Sequence, residues 1–196
     1  QLLLCDFDTV DETNLGRQTL YAPADIGQLK TICAASQLAK MNPDIKISGI
    51  SQRLNHQTLS ATVSQADLVI DGCDNFSTRF QVNEVAVLNK TILISGAAIR
   101  LEGQLAIFGP DYTQSPCYRC LYGEDDESLE TCTGNGVLSP VPGVIGTMMA
   151  VEALKSLAGI DSEKGMLNLY DAAATEWKKL TIHKDQNCPV CSEAAI

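Results

Sequence analysis

Four of the chain's eight cysteines form two pairs of equal spacing: Cys117 and Cys120 flank Tyr118-Arg119, and Cys188 and Cys191 flank Pro189-Val190. Two thiolates separated by two residues can take two corners of a tetrahedron, so the pairs together supply a four-thiolate zinc site. The stretch from Cys120 to Cys188 is longer than a compact zinc ribbon spans, so the metal is expected to staple the tail of the chain to its middle. Four protein ligands leave no open position for water or substrate, which gives such a zinc a structural role. A redox dithiol is the rival reading of the same spacing.

With 196 residues, 45% of them hydrophobic, and no Pro/Gly/Ser-rich linker, the chain is expected to fold as a single domain over residues 1–196. Its formal net charge of −10 argues against an electrostatic hold on nucleic acid or an anionic membrane. No secretory apolar segment is present and a chain of this size needs no disulfide framework, so reduced thiols and a cytoplasmic location are expected. The apolar run from Val141 to Ala158 is broken by Glu152, Lys155 and glycines, and reads as a buried helix rather than a membrane span. Leu2 to Phe7 reads as a buried strand with no element before it, so the chain is expected to be N-terminally incomplete, the remainder of a longer polypeptide.

Beyond that strand, apolar spacing predicts a helix over Ile26 to Met41 ended by Asn42-Pro43, a strand at Ile45 to Ile50, and a short helix over Thr58 to Gln65. A second buried strand is expected at Asp67 to Asp71, a helix capped by Ser77 over Thr78 to Asn89, and a strand at Thr91 to Ser95. This alternation predicts an α/β fold with a Rossmann-like, mainly parallel sheet. Gln104 to Phe108, Met166 to Tyr170 and Trp177 to His183 read as antiparallel strands extending that sheet, with a helix over Val144 to Leu157 between the first two.

In an open parallel sheet, ligands bind beyond the carboxyl ends of the strands, which puts Asp6 and Asp74 forward as parts of one site. Arg17, in the polar stretch Thr13-Asn14-Leu15-Gly16-Arg17-Gln18, and Lys30 are the cations nearest in sequence. A guanidinium and an ammonium can neutralise a triphosphate, and a carboxylate such as Asp74 can hold its magnesium. Cys5, Cys33 and Cys73 lie among apolar neighbours and are expected in the core. His56 and His183 lack the spacing of a metal or catalytic pair.

The residues then resemble a family. Asp6-Phe7-Asp8-Thr9-Val10, Asn14-Leu15-Gly16-Arg17-Gln18, Ile26-Gly27-Gln28-Leu29-Lys30, Asn42-Pro43, Asp74-Asn75 with Arg79, Ser95-Gly96-Ala97-Ala98, Pro116-Cys117-Tyr118-Arg119-Cys120, Gly136-Val137-Leu138-Ser139-Pro140, Gly143-Val144-Ile145-Gly146, Glu152-Ala153-Leu154-Lys155 and Cys188-Pro189-Val190-Cys191 match, in order, the ThiF/MoeB/HesA family, bacterial relatives of ubiquitin-activating enzymes. The resemblance covers essentially the whole chain and implies an adenylation domain. Such enzymes use ATP and magnesium to adenylate the C-terminal Gly-Gly end of a ubiquitin-like sulfur carrier, of the ThiS or MoaD type, for thiamine or molybdenum cofactor synthesis.

Carried over residue by residue, the resemblance implies Asp6 on the ribose, Thr13, Asn14, Leu15, Gly16, Arg17 and Lys30 around the phosphates, and Asp74 on magnesium with Asn75 beside it. It implies zinc at Cys117, Cys120, Cys188 and Cys191, and a homodimer whose partner lends an upstream arginine. Cys132 stands where ThiF-type members have a thiol that joins the carrier covalently, and where MoeB-type members carry one without depending on it. The family's glycine-rich phosphate loop has no counterpart in these residues, so this chain as it stands is expected to bind ATP poorly. A non-catalytic scaffold for a ubiquitin-like protein is the alternative, and a dinucleotide oxidoreductase a third reading allowed by the sheet pattern alone.

Overall fold

Two parallel ladders begin the fold, each where a strand, a helix and a second strand alternate in the sequence. The structure, a computed structural model, describes residues 1–123 and 136–192, and its elements cluster into two units, Gln1–Asn55 and His56–Ile196. In the first unit, β1 (Leu2–Cys5) pairs in parallel with β2 (Ile47–Ile50), Leu2 opposite Ile47 and Cys5 opposite Ile50. The helix α1 (Lys30–Met41) packs on β2 at a point where Gly49 allows close approach. A Cβ at Gly49 would stand 3.0 Å from the Thr31 Cβ.

β1, expected to be buried, is exposed: Leu2 and Leu3 keep 37% and 41% of their surface, and Cys5 is exposed rather than core. A two-stranded ladder with one helix leaves much of both strands uncovered. Only Cys33 of the three expected core cysteines is fully buried, Cys73 being half-buried. α1 begins four residues later than the apolar spacing suggests. Pro23–Asp25 forms a 3-10 turn and Gly27 adopts φ +83°, a left-handed conformation that interrupts a helical run.

The second unit opens with α2 (His56–Val63), followed by β3 (Leu68–Asp71), α3 (Phe76–Leu88), β4 (Ile92–Ile99) and β5 (Glu102–Phe108). After these come α4 (Tyr118–Leu121), α5 (Pro140–Leu157), β6 (Met166–Asp171) and β7 (Glu176–Thr181). The sheet order is β3-β4-β5-β6-β7, with β3 and β4 parallel and the later pairings antiparallel. The antiparallel extension predicted from the second half is therefore present on the same sheet as β3 and β4.

Period-two alternation sends β4 and β5 side chains to two buried faces. On one, Leu93, Ala106 and Phe108 meet Phe80, Val87, Tyr112 and Tyr118; on the other, Ile94, Leu105 and Ile107 meet α5. α5 presents Val141, Ile145, Met149 and Ala153, every fourth residue, to that face. Gly96 and Gly103 let it come close, since a Cβ there would lie 2.3 Å from Met149 Sδ and 2.5 Å from Ile145 Cγ1. α5 is buried on this side alone. Leu154 and Leu157 on its far side are 68% and 59% exposed, so the helix is not the wholly buried one its apolar run suggests.

α3 also differs from expectation. Asn75, not Ser77, caps it, accepting the Thr78 N–H at Oδ1 over 2.8 Å. Asn and Ser compete as caps, and Asn75 has the extended backbone a cap needs. No described helix is long and apolar enough to cross a membrane.

Candidate active site and metal centre

At the carboxyl end of β1, Asp6 continues the ladder by donating its N–H to Ile50 O at 3.1 Å. Its Oδ1 accepts the Asp8 N–H at 2.9 Å, a local turn that brings a second carboxylate beside the first. Lys30 is the first residue of α1 and donates its own N–H to Asp8 O at 3.0 Å. That bond fixes where the side chain starts. Its Nζ then lies 3.0 Å from Asp8 Oδ2 and 3.8 Å from Asp6 Oδ2. Lys30 is only 8% exposed, so its stem is packed while the carboxylates remain open to solvent.

The polar stretch that follows β1 is shaped by its own side chains. Asp11 Oδ1 accepts the Thr13 N–H at 2.8 Å and the Thr13 hydroxyl at 2.5 Å, while Asn14 Oδ1 accepts the Asp11 N–H at 3.4 Å. Asn14 is thereby buried in a capping box at the 3-10 turn Glu12–Asn14, which Leu15 closes. Arg17 Nη1 donates to Thr13 O at 2.7 Å. The Thr13 hydroxyl holds the Asp11 carboxyl below its ordinary range, and the charges of Arg17 and Lys30 act in the same direction. Both cations thus lie within electrostatic reach of one carboxylate, and Asp6, Thr13, Asn14, Leu15, Gly16, Arg17 and Lys30 share the first unit.

Asp74 and Asn75 belong to the second unit, on the exposed turn between β3 and α3. Asn75 Nδ2 donates to Asp74 Oδ1 at 3.3 Å while its oxygen caps α3, so one residue links the acid to the helix start. Beneath this turn lies a network absent from the sequence-derived site. Arg79 Nη1 donates to Asp71 Oδ2 at 3.1 Å and to Ser95 Oγ at 2.9 Å; Nη2 donates to Gly96 O at 2.8 Å and to Cys73 O. Asp71 Oδ1 accepts the Cys73 N–H at 3.0 Å. Asp71, Arg79 and Ser95 are 3%, 5% and 4% exposed.

The sequence carried a signal for Asp8, which stands two residues after Asp6 at the same strand end. Asp71 ends an expected strand and Ser95 and Arg79 belong to separate motifs of the resemblance, but no spacing rule pairs them across a sheet. Cys132 lies outside the described residues.

The four paired cysteines converge. Their sulfurs all lie within 4.8 Å of one another, with Cys117 to Cys188 at 3.7 Å and Cys120 to Cys191 at 3.5 Å. A disulfide requires about 2.05 Å, whereas a tetrahedral ion with bonds of about 2.3 Å sets its ligand sulfurs about 3.8 Å apart. The second spacing fits, so the sulfurs are positioned to hold a metal ion. The hydrogen bond with Cys120 and burial push the Cys117 thiol far up, burial pushes Cys191 up to about 11, and the bond from Cys117 holds Cys120 down to about 5. A divalent cation bound among the sulfurs would favour the thiolate at Cys117 and Cys191 against that burial.

Comparison with known proteins matches this architecture. The ThiF family profile matches residues 1–190. The sulfur carrier protein ThiS adenylyltransferase of Escherichia coli K12 is 39% identical over 190 residues, spanning 97% of this chain and 75% of that protein. The molybdopterin-synthase adenylyltransferase of Salmonella typhimurium is 40% identical over 195 residues, spanning 98% of this chain and 78% of its own length. Among solved structures, E. coli MccB with MccA-N7isoASN superposes with a TM-score of 0.81 at 22% identity, covering 97% of this chain and 59% of the MccB chain. At that identity the likeness is one of fold.

Proposed function

This chain belongs to the ThiF family, and from that premise we propose that it is an ATP-dependent adenylyltransferase activating the C-terminal glycine of a ubiquitin-like sulfur carrier of the ThiS or MoaD type. The pathway served is thiamine or molybdenum cofactor synthesis. The observation that carries this is the match, over 97% and 98% of this chain, to carrier adenylyltransferases of both kinds. We take residues 1–196 as a single adenylation domain.

In the proposed reaction, a carboxylate oxygen of the carrier's terminal glycine attacks the α-phosphorus of ATP, and the bond to the β-phosphate breaks with its electron pair leaving on pyrophosphate. The carboxylate is already ionised at neutral pH, so no general base is needed. The barrier is one of bringing anions together, and the chain's own work is to neutralise and align. Lys30, held ready by Asp8, and Arg17 take the phosphate charge, with Thr13, Asn14, Leu15 and Gly16 shaping the loop around it. Asp6 orients the ribose. Asp74, steadied by Asn75, holds the magnesium that accompanies the nucleotide.

Cys117, Cys120, Cys188 and Cys191 hold a structural zinc, and Cys132 is proposed as the thiol that joins the carrier. We take the protein to act in the cytoplasm, where thiols stay reduced. The exposed apolar residues Leu154 and Leu157 of α5 support an assembly that covers them, and we take the working form to be a homodimer. Exchange of labelled pyrophosphate into ATP, dependent on a carrier ending in Gly-Gly, tests the activity. Asp74→Ala should abolish it with carrier binding retained; undiminished exchange in that variant removes Asp74 from the magnesium role.

A further inference from the structure

Two polar side chains outside the proposed reaction reach the sulfur cluster. Asn83, fully buried on α3, donates from Nδ2 to Cys117 Sγ at 3.6 Å and accepts the Tyr118 N–H at Oδ1 over 2.8 Å. Lys184 follows β7 by three residues. Its Nζ reaches the carbonyl oxygens of Tyr112 and Cys191, each at 2.6 Å, the Cys191 Sγ at 3.2 Å and the Ser115 oxygen at 3.4 Å.

We propose that Lys184 is a positioning residue of the four-sulfur centre, setting its charge and joining its two cysteine pairs. An ammonium carries three N–H donors, and the three shortest contacts use all three. Tyr112 and Ser115 lie on the segment that leads into Cys117, whereas the other two acceptors belong to Cys191 itself. One side chain therefore ties the segment entering the first pair to the second. Four thiolates around a divalent ion carry two net negative charges in a largely buried place, and an adjacent ammonium offsets one of them. The N–H···S contact also draws electron density from the Cys191 sulfur, which tunes the metal through its surroundings rather than through a ligand.

The proposal rests on the four cysteines being a metal centre. Zn2+ affinity by chelator competition and the sulfur-to-metal absorption of the Co2+-loaded chain are measured for wild type, Lys184→Met, Lys184→Arg and Lys178→Met. Met keeps most of the aliphatic stem and removes charge and donors. Arg keeps both. Lys178→Met removes an equal charge from exposed β7. Lys184→Met should weaken Zn2+ binding about 10–100-fold, the usual scale for groups that orient metal ligands. It should also shift the Co2+ bands, with Lys184→Arg recovering much of both and Lys178→Met leaving both unchanged.

Wild-type affinity and spectrum in Lys184→Met overturn the proposal, as does an equal loss in Lys178→Met. Where Lys184→Met does not fold, Lys184→Gln decides, and unweakened Zn2+ binding there overturns it. A wild-type chain that takes up neither Zn2+ nor Co2+ overturns both this role and the metal reading beneath it.

Discussion

Arg79 has its guanidinium spent on the Asp71 carboxylate, the Ser95 hydroxyl and the carbonyls of Cys73 and Gly96. Its partners surround the turn that carries Asp74, so the charge never meets solvent yet fixes where an exposed acid stands. Arg79→Met strands the Asp71 carboxylate in the interior and should cost about 3–5 kcal/mol in urea unfolding. Arg79→Lys should recover only part of that, because one ammonium cannot serve acceptors arrayed for a planar fork. Lys30 is the contrasting case, a packed stem with its ammonium at the strand end. Lys30→Ala should lower carrier-dependent pyrophosphate exchange about 10²–10³-fold, the scale of losing one charge-stabilising contact. An unfolding midpoint near wild type in the same variant would separate lost chemistry from lost structure.

At the scale of elements, the contact of α5 with the sheet depends on two strand positions without side chains. Gly96 and Gly103 face the Met149 and Ile145 side chains at distances no Cβ tolerates. Adding a methyl at Gly103 has two opposed effects. Restricting the unfolded chain favours folding by about 0.4–1 kcal/mol, whereas overpacking against a stiff β-branched side chain costs about 1–3 kcal/mol. The second wins, so Gly103→Ala should destabilise, and Ile145→Val in the same chain should restore part of the loss. Thermal unfolding of the single and double variants checks both. The caps teach the same lesson in miniature: Ser77 and Asn75 are equally plausible by composition, and the extended backbone at Asn75 decided between them.

At the scale of the whole molecule, the cysteine pairs join stretches far apart in the chain. Removing a bound metal with a chelator should lower stability by roughly 4 kcal/mol, the scale of opening a chain closure of this length. Denaturant midpoints with and without chelator measure it, and a chelator-insensitive midpoint in a metal-loaded sample would assign the sulfurs another role. Residue type and spacing alone determined that the two cysteine pairs could supply four ligands, that Asp6 follows a strand, and most strands and helices. Those features are local, because a period of two or 3.6 and a two-residue gap are written in consecutive positions. Tertiary structure alone decided that Asp8 shares Lys30 with Asp6, that Asp71 and Ser95 close around Arg79, that α5 buries one face, and that Lys184 lies against a sulfur. Each of these depends on which surfaces meet after the chain has turned back on itself, and burial and pairing between distant residues leave no periodic trace in the sequence.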